Sequence, residues 1–195
     1  MSVFINAKVS VTNFTAKNVS DGVTPKNTGA KATGLEVYGN NITITNCSVE
    51  NIIAIVPQDL QSAGFSAWGN SISFTGCTAT NVQVTNANKV PSIQYGYGTG
   101  FGWAPDPRPI FDSQTANDVT YTNCVSNNCQ LGFDTWYHTN SVWKGVTATG
   151  CAEFILVQAA LTPRTLSMDK CSQLPSGYPS KITLYNLASN NQYPE

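Results

Sequence analysis

The 195-residue sequence contains little charge and a single histidine. Only 11% of residues are charged, with 10 Lys and Arg against 11 Asp and Glu, for a net charge of -1. No basic stripe is available to neutralise a phosphate backbone, so nucleic acid is not an expected partner. One histidine and cysteine spacings that match no zinc motif argue against a metal site, and no cofactor is expected.

Long apolar runs are also absent. No stretch of about 18 apolar residues occurs, so no membrane insertion is expected. Residues 1–8 lack the basic and apolar regions of a signal peptide, which predicts synthesis in the cytoplasm without a leader.

Asparagine, threonine, serine and glycine are abundant instead, a composition that favours strands and turns over helices. One segment pattern recurs at 9–19, 42–52, 72–82, 119–129 and 142–151, with weaker copies at 166–171 and 182–187. Each copy has an apolar or aromatic residue at one position: Val11, Ile44, Phe74, Tyr121, Trp143, Met168 and Leu184. Polar residues flank most of these, as in a strand with one buried face.

An asparagine recurs at one turn of the repeat. The copies are Asn18, Asn51, Asn81, Asn128 and Asn191. Amides at the same turn of stacked repeats can hydrogen-bond to one another, so the spacing predicts an asparagine ladder.

A second element begins at Gly34, Gly64, Gly100 and Gly132. Alternation places the next residues inward: Leu35, Phe65, Phe101 and Phe133. The same alternation predicts that the following positions point outward: Glu36, Ser66 and Asp134, then Tyr38, Trp68 and Trp136.

These segments, most clearly residues 41–52, resemble the right-handed parallel β-helix superfamily of pectate-lyase-like enzymes and phage tailspikes. The resemblance spans about residues 7–191 and implies an all-β fold. The expected architecture is a single right-handed parallel β-helix of about five to seven coils, with long loops from one corner. One domain would fill residues 1–195, with regular coils over about 7–160 and an irregular C-terminal cap over about 161–195.

Three long inserts, at 20–33, 53–63 and 83–99, leave one corner of consecutive coils. They could form the walls of a cleft, or they could be surface loops that vary freely.

The cysteines fall at apolar positions of the repeat, which predicts free, buried thiols.

Outward aromatic rings beside carboxylates suit a sugar, whose apolar ring face can lie on an aromatic side chain. The candidate glycan-binding residues are Glu36, Tyr38, Trp68, Tyr95, Tyr97, Trp103, Asp106, Asp112 and Trp136. In the alternative interpretation, neighbouring loops or another subunit cover the aromatic residues.

His138, Tyr137, Asp134 and Arg108 are candidate catalytic residues. The histidine could act as base or acid in a uronate lyase or epimerase, with the arginine binding the uronate carboxylate. The order Gly-Phe-Asp and then His resembles the catalytic stretch of alginate epimerases. The calcium-binding aspartate cluster of pectate lyases has no visible counterpart, and His138 could equally be a surface residue.

Three hypotheses follow for the function. The first is a β-helix module of a larger assembly, a homotrimeric virion or cell-surface component of the tailspike, fibre or capsid-decoration kind, which could bind polysaccharide. The second is a polysaccharide-active lyase or epimerase. The third is a structural protein without a ligand.

Overall fold

The computed structural model describes residues 2–4, 8–22, 32–55, 62–85, 98–102, 116–134, 138, 140–158, 165–169, 172–174, 182–186 and 191–193. Every regular element in these ranges is a β-strand. The strands are β1 (Ser2–Phe4), β2 (Val9–Thr12), β3 (Thr15–Gly22), β4 (Ala32–Thr45), β5 (Ser48–Ile55), β6 (Ser62–Thr75), β7 (Thr78–Thr85), β8 (Gly98–Phe101), β9 (Ala116–Thr122), β10 (Val125–Asn127), β11 (Leu131–Asp134), β12 (Asn140–Lys144), β13 (Thr147–Thr149), β14 (Glu153–Gln158), β15 (Thr165–Asp169), β16 (Ser172–Leu174), β17 (Ile182–Asn186) and β18 (Asn191–Tyr193).

The strands form three faces that the chain visits in turn, so the fold is an all-β parallel β-helix. The first face contains the whole strands β1, β8, β11, β14 and β17, together with the first halves of β4 and β6. The second face contains the whole strands β2, β9, β12 and β15, together with the second halves of β4 and β6. The third contains β3, β5, β7, β10, β13 and β16. Pairing is parallel except between β17 and β18, and parallel pairing continues past residue 160 through β17.

The predicted register of the second face is confirmed over six strands. The predicted positions pair in register from Val11 through Ile44, Phe74, Tyr121 and Trp143 to Met168. The last predicted copy is wrong, because Leu184 pairs with Val157 of β14 on the first face. The 16 residues from Cys171 to Leu187 are too few for a full coil, and β18 folds back with Asn191 opposite Asn186.

Two stacks of aromatic rings fill the interior. On the first face, Phe101 stacks on Phe65 with ring centroids 4.7 Å apart and on Phe133 at 5.5 Å. On the second face, Tyr121 stacks on Phe74 at 5.1 Å and on Trp143 at 4.0 Å. The two stacks meet edge to face, an arrangement that aromatic quadrupoles favour.

The predicted asparagine ladder is confirmed for Asn18, Asn51 and Asn81, whereas Asn191 lies opposite Asn186 on the first face and is not part of it. Asn51 Nδ2 donates to Asn18 Oδ1 at 2.9 Å, and Asn81 Nδ2 donates to Asn51 Oδ1 at 2.8 Å. A second ladder, which the repeat pattern did not predict, joins the first and second faces: Asn117 Nδ2 donates to Asn70 Oδ1 at 2.6 Å, and Asn140 Nδ2 donates to Asn117 Oδ1 at 2.9 Å.

The burial of the cysteine thiols is confirmed where the structure describes them. Cys47, Cys77, Cys124, Cys129 and Cys151 are buried and free. Cys171 lies outside the described residues. Burial raises the pKa of the Cys47 thiol, and a hydrogen bond with Cys151 together with burial raises that of Cys129.

The three predicted inserts lie at one junction, between the third face and the first face of the next coil. The strands before them continue to Gly22, Ile55 and Thr85, so each regular strand ends three residues later than predicted. The remainder of each insert falls outside the described residues, and the number of coils stays a prediction.

Candidate functional site

The predicted outward residues of the first face form one column on the outside of β4, β6 and β11. We call Glu36, Tyr38, Ser66, Trp68 and Asp134 the outer strip. Glu36 pairs in register with Ser66, and Tyr38 with Trp68. The Tyr38 and Trp68 rings are stacked, 6.3 Å apart and 5° from parallel.

The outer strip is buried, so the predicted open aromatic surface is wrong for the single chain. Tyr38 and Trp68 are 5% and 3% exposed, and Glu36 and Asp134 are 3% and 2% exposed. Both rings lie outside the central core cluster, so they are covered on the outer side of the sheet. The period of two predicts on which side a side chain lies, and it does not predict whether water reaches that side.

Hydroxyl groups beneath this cover add polarity to the site. Ser66 Oγ, Thr33 Oγ1 and Thr99 Oγ1 are buried and have no hydrogen-bond partner in the described part of the chain. Such groups are costly to bury unsatisfied, so the outer face here is polar as well as aromatic. Whether the strip binds a glycan stays a prediction.

His138 lies in the interior rather than at the surface. It is 2% exposed, and its Nε2 is 2.9 Å from the Tyr121 hydroxyl. The Trp143 ring centroid is 6.1 Å away. The interpretation of His138 as a surface residue is therefore wrong, and an acid or base role would need substrate to enter the core.

Tyr121 is buried beside this histidine. Burial, and then the charges of Cys124 and Asp134, raise the pKa of Tyr121 well above its ordinary value. The phenol is therefore neutral at neutral pH and can share one hydrogen bond with the imidazole. Of the four predicted catalytic residues, the structure thus places His138 against a buried hydroxyl and Asp134 on the outer strip.

The other predicted site residues lie outside the described residues. These are Tyr95, Tyr97, Trp103, Asp106, Arg108, Asp112, Trp136 and Tyr137. Their catalytic and glycan-binding roles stay predictions.

No group of three or more potential metal ligands occurs within the described ranges. No helix in the described part of the chain is long and apolar enough to cross a membrane.

Gln130 is a structurally important residue that the sequence pattern did not reveal. Its side-chain Oε1 accepts hydrogen bonds from the Val84 and Gly98 amides at 2.8 and 2.7 Å, and its Nε2 donates to Val84 O at 3.0 Å. It joins the end of β7 to the start of β8. A lone glutamine next to the asparagine turn carries no repeat signal, because it occurs in one coil only.

No family model matches the chain, and no curated protein matches it. A solved structure of a rhamnogalacturonan lyase is similar, with 16% sequence identity over 96% of this chain and 58% of that chain, and a TM-score of 0.41. The chain thus spans somewhat more than half the length of that structure. A likeness at this level does not indicate a function.

Proposed function

We propose that the protein is a β-helix module of a larger assembly and that its first coil, formed by β1, β2 and β3, is an interface. Solenoid repeats bury their interior only by stacking on neighbours, so the end of a stack must be covered by something else. The observation that supports the proposal is the incomplete burial of this coil.

The inward residues of the first coil are only partly buried, whereas their counterparts one coil later are fully buried. Val11, Phe14, Ala16 and Val19 pack against the core from one side. The matching residues Ile44, Cys47, Val49 and Ile52 are no more than 1% exposed. The apolar residues of the first coil are therefore only partly covered by the described part of the chain.

The strand edge at the same end is also open. β3 is the last strand of the six-stranded sheet, so its outer edge has no strand partner within the described ranges. Both bonds of the first ladder run from Nδ2 to the Oδ1 of the preceding coil, which leaves the Asn18 amide group facing outward from the stack. An edge of this kind is a template for a strand of another chain.

We infer that a second copy of the chain covers this end, in a homo-oligomer expected to be a trimer, and that the assembly belongs to a virion or cell surface. The low charge supports the proposal, because few charged side chains would have to be desolvated on association.

Multi-angle light scattering of the purified chain tests the proposal. The expected mass is three times the 20.9 kDa of one chain. Phe14→Asp should shift the mass to that of the monomer, because a charge would be buried in the interface. Thr43→Asp, which places the same charge at an exposed position of β4, should remain associated. A stable wild-type monomer that processes a polysaccharide would contradict the proposal.

A second proposal is a uronate lyase or epimerase, supported by the hydrogen bond between His138 and the Tyr121 hydroxyl. In this proposal a basic group removes the proton next to the uronate carboxylate. Incubation with polyuronates, followed by detection of unsaturated products or of inverted uronates, tests it. An unchanged rate in His138→Ala would reject the role of that residue.

A further inference from the structure

A shallow depression of about 260 Å³ lies on the outside of the third face. Its lining residues come from β3, β5 and β7: Asn18, Ser20, Asn51, Ile53, Ile55 and Thr85. We call it the third-face groove. It is formed by a different sheet from the one that carries the outer strip.

The floor of the groove is apolar at its centre and polar at its sides. Ile53 and Ile55 alternate with the buried Ile52 and Ala54, so they point outward and are half-exposed. In register with Ile53 stand Ser20 on β3 and Gln83 on β7. Most outward positions of these strands hold polar side chains, so two neighbouring outward isoleucines form a local apolar patch.

One hydroxyl at the groove is buried and unsatisfied, and an exposed amide stands beside it. Thr85 is 4% exposed, and its Oγ1 has no hydrogen-bond partner in the described part of the chain. Asn18 accepts a bond from Asn51 through Oδ1, and its Nδ2 has no partner among the described residues. A buried hydroxyl is rarely left unsatisfied in a native protein, so Thr85 points to a ligand.

The described lining contains no ionisable side chain. Lys17 and Glu50 on this face pair with each other at 2.7 Å, and Asp21 lies in register with the buried Ala54. A charged ligand would therefore find no counter-ion, and a purely apolar ligand would leave the Thr85 hydroxyl unsatisfied.

We propose that the third-face groove binds a neutral saccharide unit, with the apolar face of the sugar ring on Ile53 and Ile55 and its hydroxyls bonded to Thr85, Ser20 and Asn18. The volume lies just below the lower end of ordinary ligand pockets, about 300 Å³, which suits one or two sugar rings. The inference does not depend on the proposed assembly.

Amide NMR titration with the methyl glycosides of glucose, galactose and mannose tests the proposal. Saturable shifts are expected at Ser20, Asn51 and Thr85 with at least one of the three sugars. Thr85→Val should weaken binding about fivefold, because it removes one hydrogen bond while keeping the side-chain shape. Ile53→Asp should abolish binding, because it removes half of the apolar floor.

Thr78→Val is the matched control, since it removes an outward hydroxyl of the same strand outside the groove. It should bind as tightly as the wild type. Circular dichroism of each variant shows that the fold is retained. The proposal is overturned if no sugar gives saturable shifts up to about 100 mM, a limit that corresponds to very weak binding, or if Thr85→Val and Thr78→Val weaken binding equally.

Discussion

The glycines that begin the first-face element lie where the interior is thinnest. A Cβ on Gly64 would stand 2.9 Å from the Ala79 Cβ, and one on Gly132 would stand 3.0 Å from the Ala148 Cβ. Side chains of the third face already fill this space, so the recurring glycine is a packing requirement. The close approach of the two sheets positions the phenylalanine stack.

Gly100→Ala tests this requirement, because its Cβ would stand 2.1 Å from Ser126 Oγ. We expect a loss of about 1–3 kcal/mol in the free energy of unfolding, measured in urea. Adding Ser126→Gly should recover part of the loss, since it removes the clashing hydroxyl. Strictly additive effects of the two substitutions would contradict the explanation.

Tyr121→Phe tests the buried pair of Tyr121 and His138. At neutral pH the substitution should cost about 1–3 kcal/mol, because it leaves a buried imidazole nitrogen without its hydrogen bond. Urea unfolding measured before and after the substitution gives this difference.

The same variant has a predicted effect at alkaline pH. The pKa of Tyr121 is higher in the folded protein than in the unfolded chain. The neutral phenol therefore stabilises the fold fully below the ordinary tyrosine pKa of 10.0, and this stabilisation is lost as the pH rises above that value. The free energy of unfolding should therefore fall less steeply above this pH in Tyr121→Phe than in the wild type. If the free energy of unfolding of the variant and of the wild type fell equally with pH, the pKa of Tyr121 would be the same in the folded and unfolded states, and the prediction would be contradicted.

At the scale of the element, the junction between β7 and β8 depends on one side chain. Gln130→Ala should leave the Val84 and Gly98 amides without partners. We expect a loss of about 2–4 kcal/mol and faster hydrogen exchange at these two amides. Gln83→Ala, which removes one exposed bond to Asn128 O, is the matched control and should cost less than about 1 kcal/mol. Equal losses would contradict the bridging role.

The asparagine turns combine two constraints that substitution can separate. Asn51 has a φ of 56° and bonds to Asn18 below and Asn81 above. Asn51→Gly keeps the left-handed backbone and loses both ladder bonds, whereas Asn51→Ala adds about 1 kcal/mol of backbone strain. Thermal unfolding should therefore rank the wild type above the glycine variant and the glycine variant above the alanine variant. An equal melting temperature for the two variants would contradict the role of φ.

Strand register could be predicted from the sequence because one apolar position recurs through Val11, Ile44 and Phe74. Other turns could not be predicted from the sequence, because different residue types occupy the same turn position in different coils. Asn46, Gly76 and Asn123 share one left-handed position with φ of 52°, 63° and 51°, although their side chains differ. Because asparagine and glycine both adopt this conformation, the position does not recur as one residue type in the sequence.

At the scale of the whole molecule, the candidate sites depend on what covers each face. The inward or outward position of Trp68 follows from alternation, but its burial depends on distant parts of the chain, which a local pattern does not contain. The burial of His138 likewise follows from its place against Tyr121 and Trp143. The third-face groove could not be predicted, because its residues come from three coils.

The open first coil is the central feature of the proposed assembly. It combines half-buried apolar residues, a strand edge without a partner among the described strands, and an outward amide at one end of the stack. Association through this end would bury the core of the first coil as completely as that of the second.

Hydrogen–deuterium exchange of residues 9–22 at increasing protein concentration tests this feature most directly. The account predicts that the amides of β3 exchange at least about tenfold more slowly in the associated protein, while those of β13, in the interior of the same sheet, keep their rates. Exchange of β3 that is fast and independent of concentration would contradict it.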